Sequence, residues 1–179
     1  FWVFPPINNL AEAIVNSGMN KGWRRWAILR SAGDNPEFVD RVRTVLTQRG
    51  GKIVFDETFK NNVFESMETA AKKIFKLDND TRREDYRVAL QKAREQSESL
   101  GTTFNPRLVV LDPIKEIDAV FLPTDFRTVR HFVKIFKYLR VDQIGMLGNY
   151  AWRSPALIDP PEMYLRGSAF VDFVGNYKS

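Results

Sequence analysis

Trp26-Ala27-Ile28-Leu29, running through Arg30-Ser31-Ala32-Gly33-Asp34 into Asn35-Pro36-Glu37, is the stretch that decides the fold class. Four apolar residues in a row read as a buried strand, and Ser31 to Asp34 as the loop it enters. Asn35 has the side chain of a helix N-cap, Pro36 suits the first helical position, and Glu37 favours the positive end of the helix dipole. Phe38, Val42, Val45 and Leu46 form the apolar stripe of that helix, and Gly50-Gly51 stops it.

The same grammar repeats outward from there. Ile53-Val54-Phe55 reads as the next strand, and Ile117-Asp118-Ala119-Val120-Phe121-Leu122 as another. Asp125 caps a helix whose apolar face is Val129, Phe132, Val133, Phe136 and Leu139. Two short strands follow, at Ile144-Gly145-Met146-Leu147 and Ala169-Phe170-Val171. Strands alternating with helices predict an α/β fold: a parallel sheet with helices on both faces. The stretch between Ile53 and Ile117 is about twice as long as a crossover of roughly thirty residues needs. Met67 to Lys76 and Arg82 to Ser99 both have helical periods and many charges, with Leu77-Asp78-Asn79-Asp80 between them. A helical hairpin inserted over residues 64–100 is therefore expected, ending at Asn105-Pro106.

Composition limits the chemistry. The chain has 179 residues, 44% hydrophobic and 27% charged, a globular balance sufficient for one core, so a single domain over 1–179 is expected. No cysteine is present, which removes thiol nucleophiles and cysteine-held metal clusters, and one histidine removes every site that needs a pair. A net charge of +5 is a mild excess and does not by itself call for nucleic acid. No run of 18 or more apolar residues occurs, so no transmembrane segment is expected. Phe1-Trp2-Val3-Phe4 is neither an initiator nor a signal-peptide layout, and the chain is expected to be a piece of a longer one.

Catalytic and nucleotide motifs are missing: neither G-x-x-x-x-G-K-[ST], G-x-G-x-x-G nor G-x-S-x-G occurs. Gly50-Gly51-Lys52 leads into a strand, the wrong context for a phosphate cradle. The acids at Asp34/Glu37 and Asp56/Glu57 fall where turns and helix starts collect them. His131 lies among cations, an unfavourable setting for a general base. No catalytic residue, metal site or cofactor is expected.

In an open α/β sheet, ligands bind beyond the carboxyl ends of the strands. The loops so placed contain Ser31, Asp34, Thr124, Asn149, Tyr150 and Trp152, which together offer hydroxyls, an acid, an amide and an aromatic wall to a small polar ligand; taken singly, each equally fits a plain N-cap, a turn or a core Trp. Arg127, Arg130, Lys134 and Lys137, at i, i+3, i+7 and i+10 of the helix after Asp125, form a cationic row open to an acidic partner.

The segment order resembles the type 1 periplasmic-binding fold of branched-chain amino-acid receptors, whose two α/β lobes close on a ligand. Phe1-Trp2-Val3-Phe4-Pro5 and a helix from about Asn9 to Asn20 resemble the segment that crosses between lobes, over residues 1–22. Gln48-Arg49-Gly50-Gly51-Lys52-Ile53-Val54 is similar to that family's helix-to-strand turn. The stretches Ile117 to Pro123, Gln143 to Pro155 and Arg166 to Asp172 look most like the penicillin-binding-protein activators, envelope lipoproteins of this fold. Asp34-Asn35-Pro36-Glu37-Phe38 replaces the Tyr-Gly usual in amino-acid receptors, so their ligand chemistry does not carry over.

The resemblance implies a non-catalytic envelope binding protein, periplasmic and lipid-anchored through a segment before Phe1, that regulates cell-wall synthesis by contacting a peptidoglycan synthase. The helical insertion and the row Arg127, Arg130, Lys134, Lys137 are then the docking candidates. The alternative it implies is a solute receptor, with Ser31, Asp34, Thr124, Asn149, Tyr150 and Trp152 lining an interlobe cleft. A further alternative is the effector domain of a transcription regulator. The sequence contains no resemblance to a helix-turn-helix, and no nucleic-acid partner is expected.

Overall fold

The computed structural model describes residues 6–78, 82–154, 157, 165 and 167–171. Five strands form one all-parallel sheet, ordered β2-β1-β3-β4-β5. The strands are β1 (Arg25–Ser31), β2 (Lys52–Phe59), β3 (Ala119–Leu122), β4 (Gly145–Gly148) and β5 (Ala169–Phe170). The helices are α1 (Ile7–Asn20), α2 (Pro36–Gln48), α3 (Phe64–Ile74), α4 (Arg83–Ser99) and α5 (Phe126–Tyr138). The five strands read between Trp26 and Val171 are all present, within a few residues at their ends. The expected strand at Phe1 to Pro5, and Pro155, Arg166 and Asp172, lie outside the described residues.

Local chemistry accounts for the starts. The Asn35 side chain accepts the backbone N–H groups of Glu37 (3.0 Å) and Phe38 (3.3 Å), capping α2 with Pro36 at its first position. Asp125 does the same for α5, accepting from Arg127 (2.7 Å) and Thr128 (3.2 Å). Two apolar layers then sandwich the sheet. On one face α1 and α2 bury Ile14, Val15, Val42 and Leu46 against Trp26, Ile28, Phe121 and Leu147. On the other, α3 and α5 bury Met67, Ile74, Phe132 and Phe136 against Ala27, Leu29, Val120 and Met146. Alternate residues of β1 and β3 face opposite layers, as strand geometry requires.

The two helices of the 64–100 stretch differ in standing. Despite its charges, α3 is a core helix: Met67, Ala70, Ala71 and Ile74 are buried beneath the sheet. It is the crossover helix from β2 to β3. By contrast, α4 buries none of its residues. Only its base is held, by Tyr86 and Ala89 packed against the core and by Arg82, whose guanidinium donates to the Asp112 carbonyl at 2.7 Å. The chain then returns along α4, with the Thr102 N–H on the Ser97 carbonyl (2.9 Å) and the Tyr86 hydroxyl donating to the Pro106 carbonyl (3.4 Å).

Asp118 sets the register of β1 against β3 by accepting the backbone N–H groups of Arg24 (2.9 Å) and Arg25 (2.8 Å). Partial burial works against its charge, but those two N–H groups and the Arg25 guanidinium outweigh it and hold its pKa below the ordinary 3.8. An acid with a lowered folded-state pKa contributes stability above its unfolded pKa, which is lost as pH falls through the folded value. The urea midpoint of the wild type should therefore drop between pH 5 and pH 2.5, and that of Asp118→Asn should drop less. Parallel curves for the two proteins would remove Asp118 from the acid transition.

Candidate functional site

Strand order locates the crevice. From β1 the chain moves through α2 to β2 on one side, and from β3 through α5 to β4 on the other, with α2 and α5 on opposite faces. The neighbouring strands β1 and β3 therefore flank the topological switch point, where open α/β sheets bind ligands. Ser31 and Asp34 stand at the carboxyl end of β1, Thr124 and Asp125 beyond β3, and Asn149, Tyr150 and Trp152 beyond β4. All six predicted ligand residues thus lie along one edge, on the loops of three adjacent strands.

Their polar groups, however, are mostly committed to one another. The Asp34 carboxylate accepts the Ser31 backbone N–H at 2.6 Å, and the Ser31 hydroxyl accepts the Gly33 N–H at 3.3 Å, closing the β1 loop on itself. The Asn149 amide donates to the Pro123 carbonyl (3.1 Å) while its oxygen accepts the Ala151 N–H (3.0 Å). That side chain stitches the β4 loop to the β3 loop. Trp152 is 2% exposed, and its indole N–H donates to the Leu122 carbonyl at 3.0 Å. Ser31 and Thr124 are buried, whereas Tyr150 is 48% exposed and is the aromatic surface this edge presents.

Asp34 carries the local electrostatic strain. Burial raises its pKa most; the Ser31 N–H and hydroxyl oppose that, and the charge of Asp125 adds to the rise. Asp125 faces Asp34 across the switch point and was legible in the sequence only as a helix cap. The strand order is the signal that joins the two, and it does not exist until the sheet is assembled. Among the described residues no group of three or more His, Cys, Asp or Glu is placed to hold a metal ion.

No protein-family model and no curated protein sequence matches this chain.

The row on α5 is where the period put it. Arg127, Lys134 and Lys137 are exposed and Arg130 is half-buried, while Val129, Phe132, Val133 and Phe136 point into the core. Two hollows with no signature in the sequence lie between the edge strand β2 and α3. One, of about 350 Å³, is lined by Thr58, Lys60, Ser66 and Thr69; the other, of about 630 Å³, by Phe55, Glu57, Lys72 and Lys76. Three of their four lysines are neutralised locally: Lys73 pairs with Glu57 (3.2 Å), Lys72 with Glu68 (2.7 Å) and Lys76 with Glu116 (2.5 Å).

Proposed function

We propose that this chain is a non-catalytic binding lobe of the type 1 periplasmic-binding kind, working in the cell envelope as penicillin-binding-protein activators do, by docking to a peptidoglycan synthase. The observation that carries the reading is α4, a helix of 17 residues with none buried. A polar helix outside the core is held by its own side-chain pairs or by a partner. Here Arg87 pairs with Glu84 (2.7 Å), Arg94 with Glu98 (3.0 Å), and Gln91 donates to Glu95 (3.0 Å). Such exposed pairs, screened by solvent, contribute little for an arm of this length. Around it Val88, Leu100, Leu108 and Val110 stay exposed, Leu100 and Leu108 at 76% and 77%. Apolar side chains beside a projecting helix supply the desolvating contacts of a protein interface.

The hydrogen bonding at the switch point also favours docking over solute capture. A receptor cleft needs free polar groups aimed at the ligand. Ser31, Asp34 and Asn149 spend theirs on loop structure.

The test is a titration of the full-length protein onto a purified peptidoglycan synthase of the source organism, wild type against Val88→Arg/Leu108→Arg. Affinity should fall about tenfold or more in the variant. Its melting temperature should stay within about 2 °C, because neither side chain is buried. Equal affinities would discard the arm as the docking element. A stoichiometric small polar adduct in native mass spectrometry, lost in Asn149→Ala and with no synthase binding, would replace this reading by that of a solute receptor.

A further inference from the structure

The outer face of α5 concentrates the charge of the whole chain. Residues 126–140 contain Arg127, Arg130, Lys134, Lys137 and Arg140 and no acid. Removing these five from the chain's 27 Lys and Arg leaves 22, equal to its 22 Asp and Glu. The net charge of +5 therefore resides on one helix and its end.

Most cations of the other helices are paired; among the described residues Arg41 of α2 and Lys92 of α4 are the exceptions. Arg43 of α2 pairs with Asp56 (2.6 Å), Lys72 and Lys73 of α3 with Glu68 and Glu57, and Arg87 and Arg94 of α4 with acids of the same helix. Among the described residues, none of the five cations of 126–140 has an ion pair. Arg130, like Arg41 of α2, has its Nε shielded from solvent without a hydrogen-bond partner.

Helix stability accounts for Lys137 and Arg140, cations at the negative end of the dipole, but not for the rest of the row. Arg127 lies in the first turn, where the macrodipole opposes a cation. Arg130 and Lys134 are four apart and Lys134 and Lys137 three apart, like-charge spacings that destabilise a helix. A helix that bears such repulsion uncompensated is complementary to negative charge outside itself.

We propose that this face, Arg127, Arg130, Lys134, Lys137 and Arg140, docks an acidic face of a partner protein. The proposal rests on the protein-contact reading above and adds the partner's chemistry. Tyr138, 68% exposed at the end of the row, supplies the aromatic anchor that protein interfaces favour beside arginine. A membrane surface fits less well, because the apolar half of α5 is already committed to the core, which leaves only Tyr138 to insert. A nucleic-acid duplex fits less well too: the six to ten or so phosphate contacts that make such binding tight exceed the five cations present.

The experiment measures binding of the full-length protein to a 20-residue poly-glutamate peptide, to a 20-base-pair DNA duplex and to vesicles containing phosphatidylglycerol, at 50 and 150 mM salt. The expected result is retention of the peptide above the other two. In Arg127→Glu/Lys134→Glu/Lys137→Glu, peptide affinity should fall at least about tenfold, and it should no longer depend on salt. Arg127→Glu alone should weaken peptide binding yet melt no lower than wild type, since an acid in the first turn suits the dipole. A purely structural role for Arg127 predicts the reverse. Unchanged peptide affinity in the triple variant, or tighter binding of DNA or vesicles than of peptide, would overturn the proposal. Neither result involves the synthase or α4, so failure here is separable from failure of the docking arm.

Discussion

Trp152→Ala is expected to cost about 3–5 kcal/mol, the range for removing a buried large aromatic side chain. For a chain of 179 residues that lowers the melting temperature by about 6–20 °C. Three contacts are lost together. The indole fills the space over Gly148, so closely that a Cβ there would come within 2.1 Å of the ring. Its ring meets Phe170 at 6.4 Å between centroids, tying the β4 loop to β5. Its N–H satisfies the Leu122 carbonyl at the end of β3, which truncation leaves buried and unpaired.

Trp152→Phe separates the terms, because it keeps most of the apolar volume and deletes only the donor. It should cost about 1–3 kcal/mol, the penalty of one unsatisfied carbonyl plus a small void. If Trp152→Ala melted within 2 °C of wild type, the indole would not be packed as described. It could then act as an exposed ligand wall, as the sequence alone suggested. The measurement thus decides whether Trp152 acts on the switch point directly or by holding the β3 and β4 loops at fixed spacing.

What the sequence made legible was whatever is written locally. Asn35-Pro36-Glu37 and Asp125 announce helix starts through chemistry that is complete within four residues, and both caps formed as read. Trp26 to Leu29 announces a strand because only a two-sided environment suits four apolar residues in succession. What a helix packs against is not local. In α3 the stripe Met67, Ala70, Ala71, Ile74 is short and made partly of alanine, so Glu65, Glu68, Lys72 and Lys73 dominate the pattern and suggest a surface helix.

The candidate site was legible in position and illegible in chemistry. Reading which loops follow strands sufficed to place Ser31, Thr124 and Asn149 on one edge. Whether an Asn or Ser has a free hydrogen bond depends on carbonyls and N–H groups that folding brings near, such as Pro123 beneath Asn149, 26 residues earlier. The unpaired state of the α5 cations is likewise a fact of assembly: the acids exist in the sequence, and the fold places them elsewhere.

The other large effect concerns Trp26, and it is best measured through its neighbour. Trp26 is fully buried on β1 and anchored by its indole N–H to the Trp23 carbonyl at 2.9 Å, so the ring cannot swing aside cheaply. Gly18 of α1 lies against it: a Cβ there would meet Trp26 Cζ2 at 2.4 Å and Leu147 Cδ1 at 3.1 Å. Truncating Trp26→Ala should therefore cost about 3–5 kcal/mol, since α1 loses the surface it lies on. Gly18→Ala should cost about 1–3 kcal/mol by overpacking, even though alanine is the better helix former. In a Trp26→Phe background the smaller ring makes room, and Gly18→Ala should become neutral or stabilising. The double-mutant cycle should then show a coupling of about 1–3 kcal/mol. Strict additivity would mean that α1 relieves the clash by shifting along the sheet. In that case the helix leading into β1, and with it the Ser31 loop, would be held less rigidly than close packing between Gly18 and Trp26 requires.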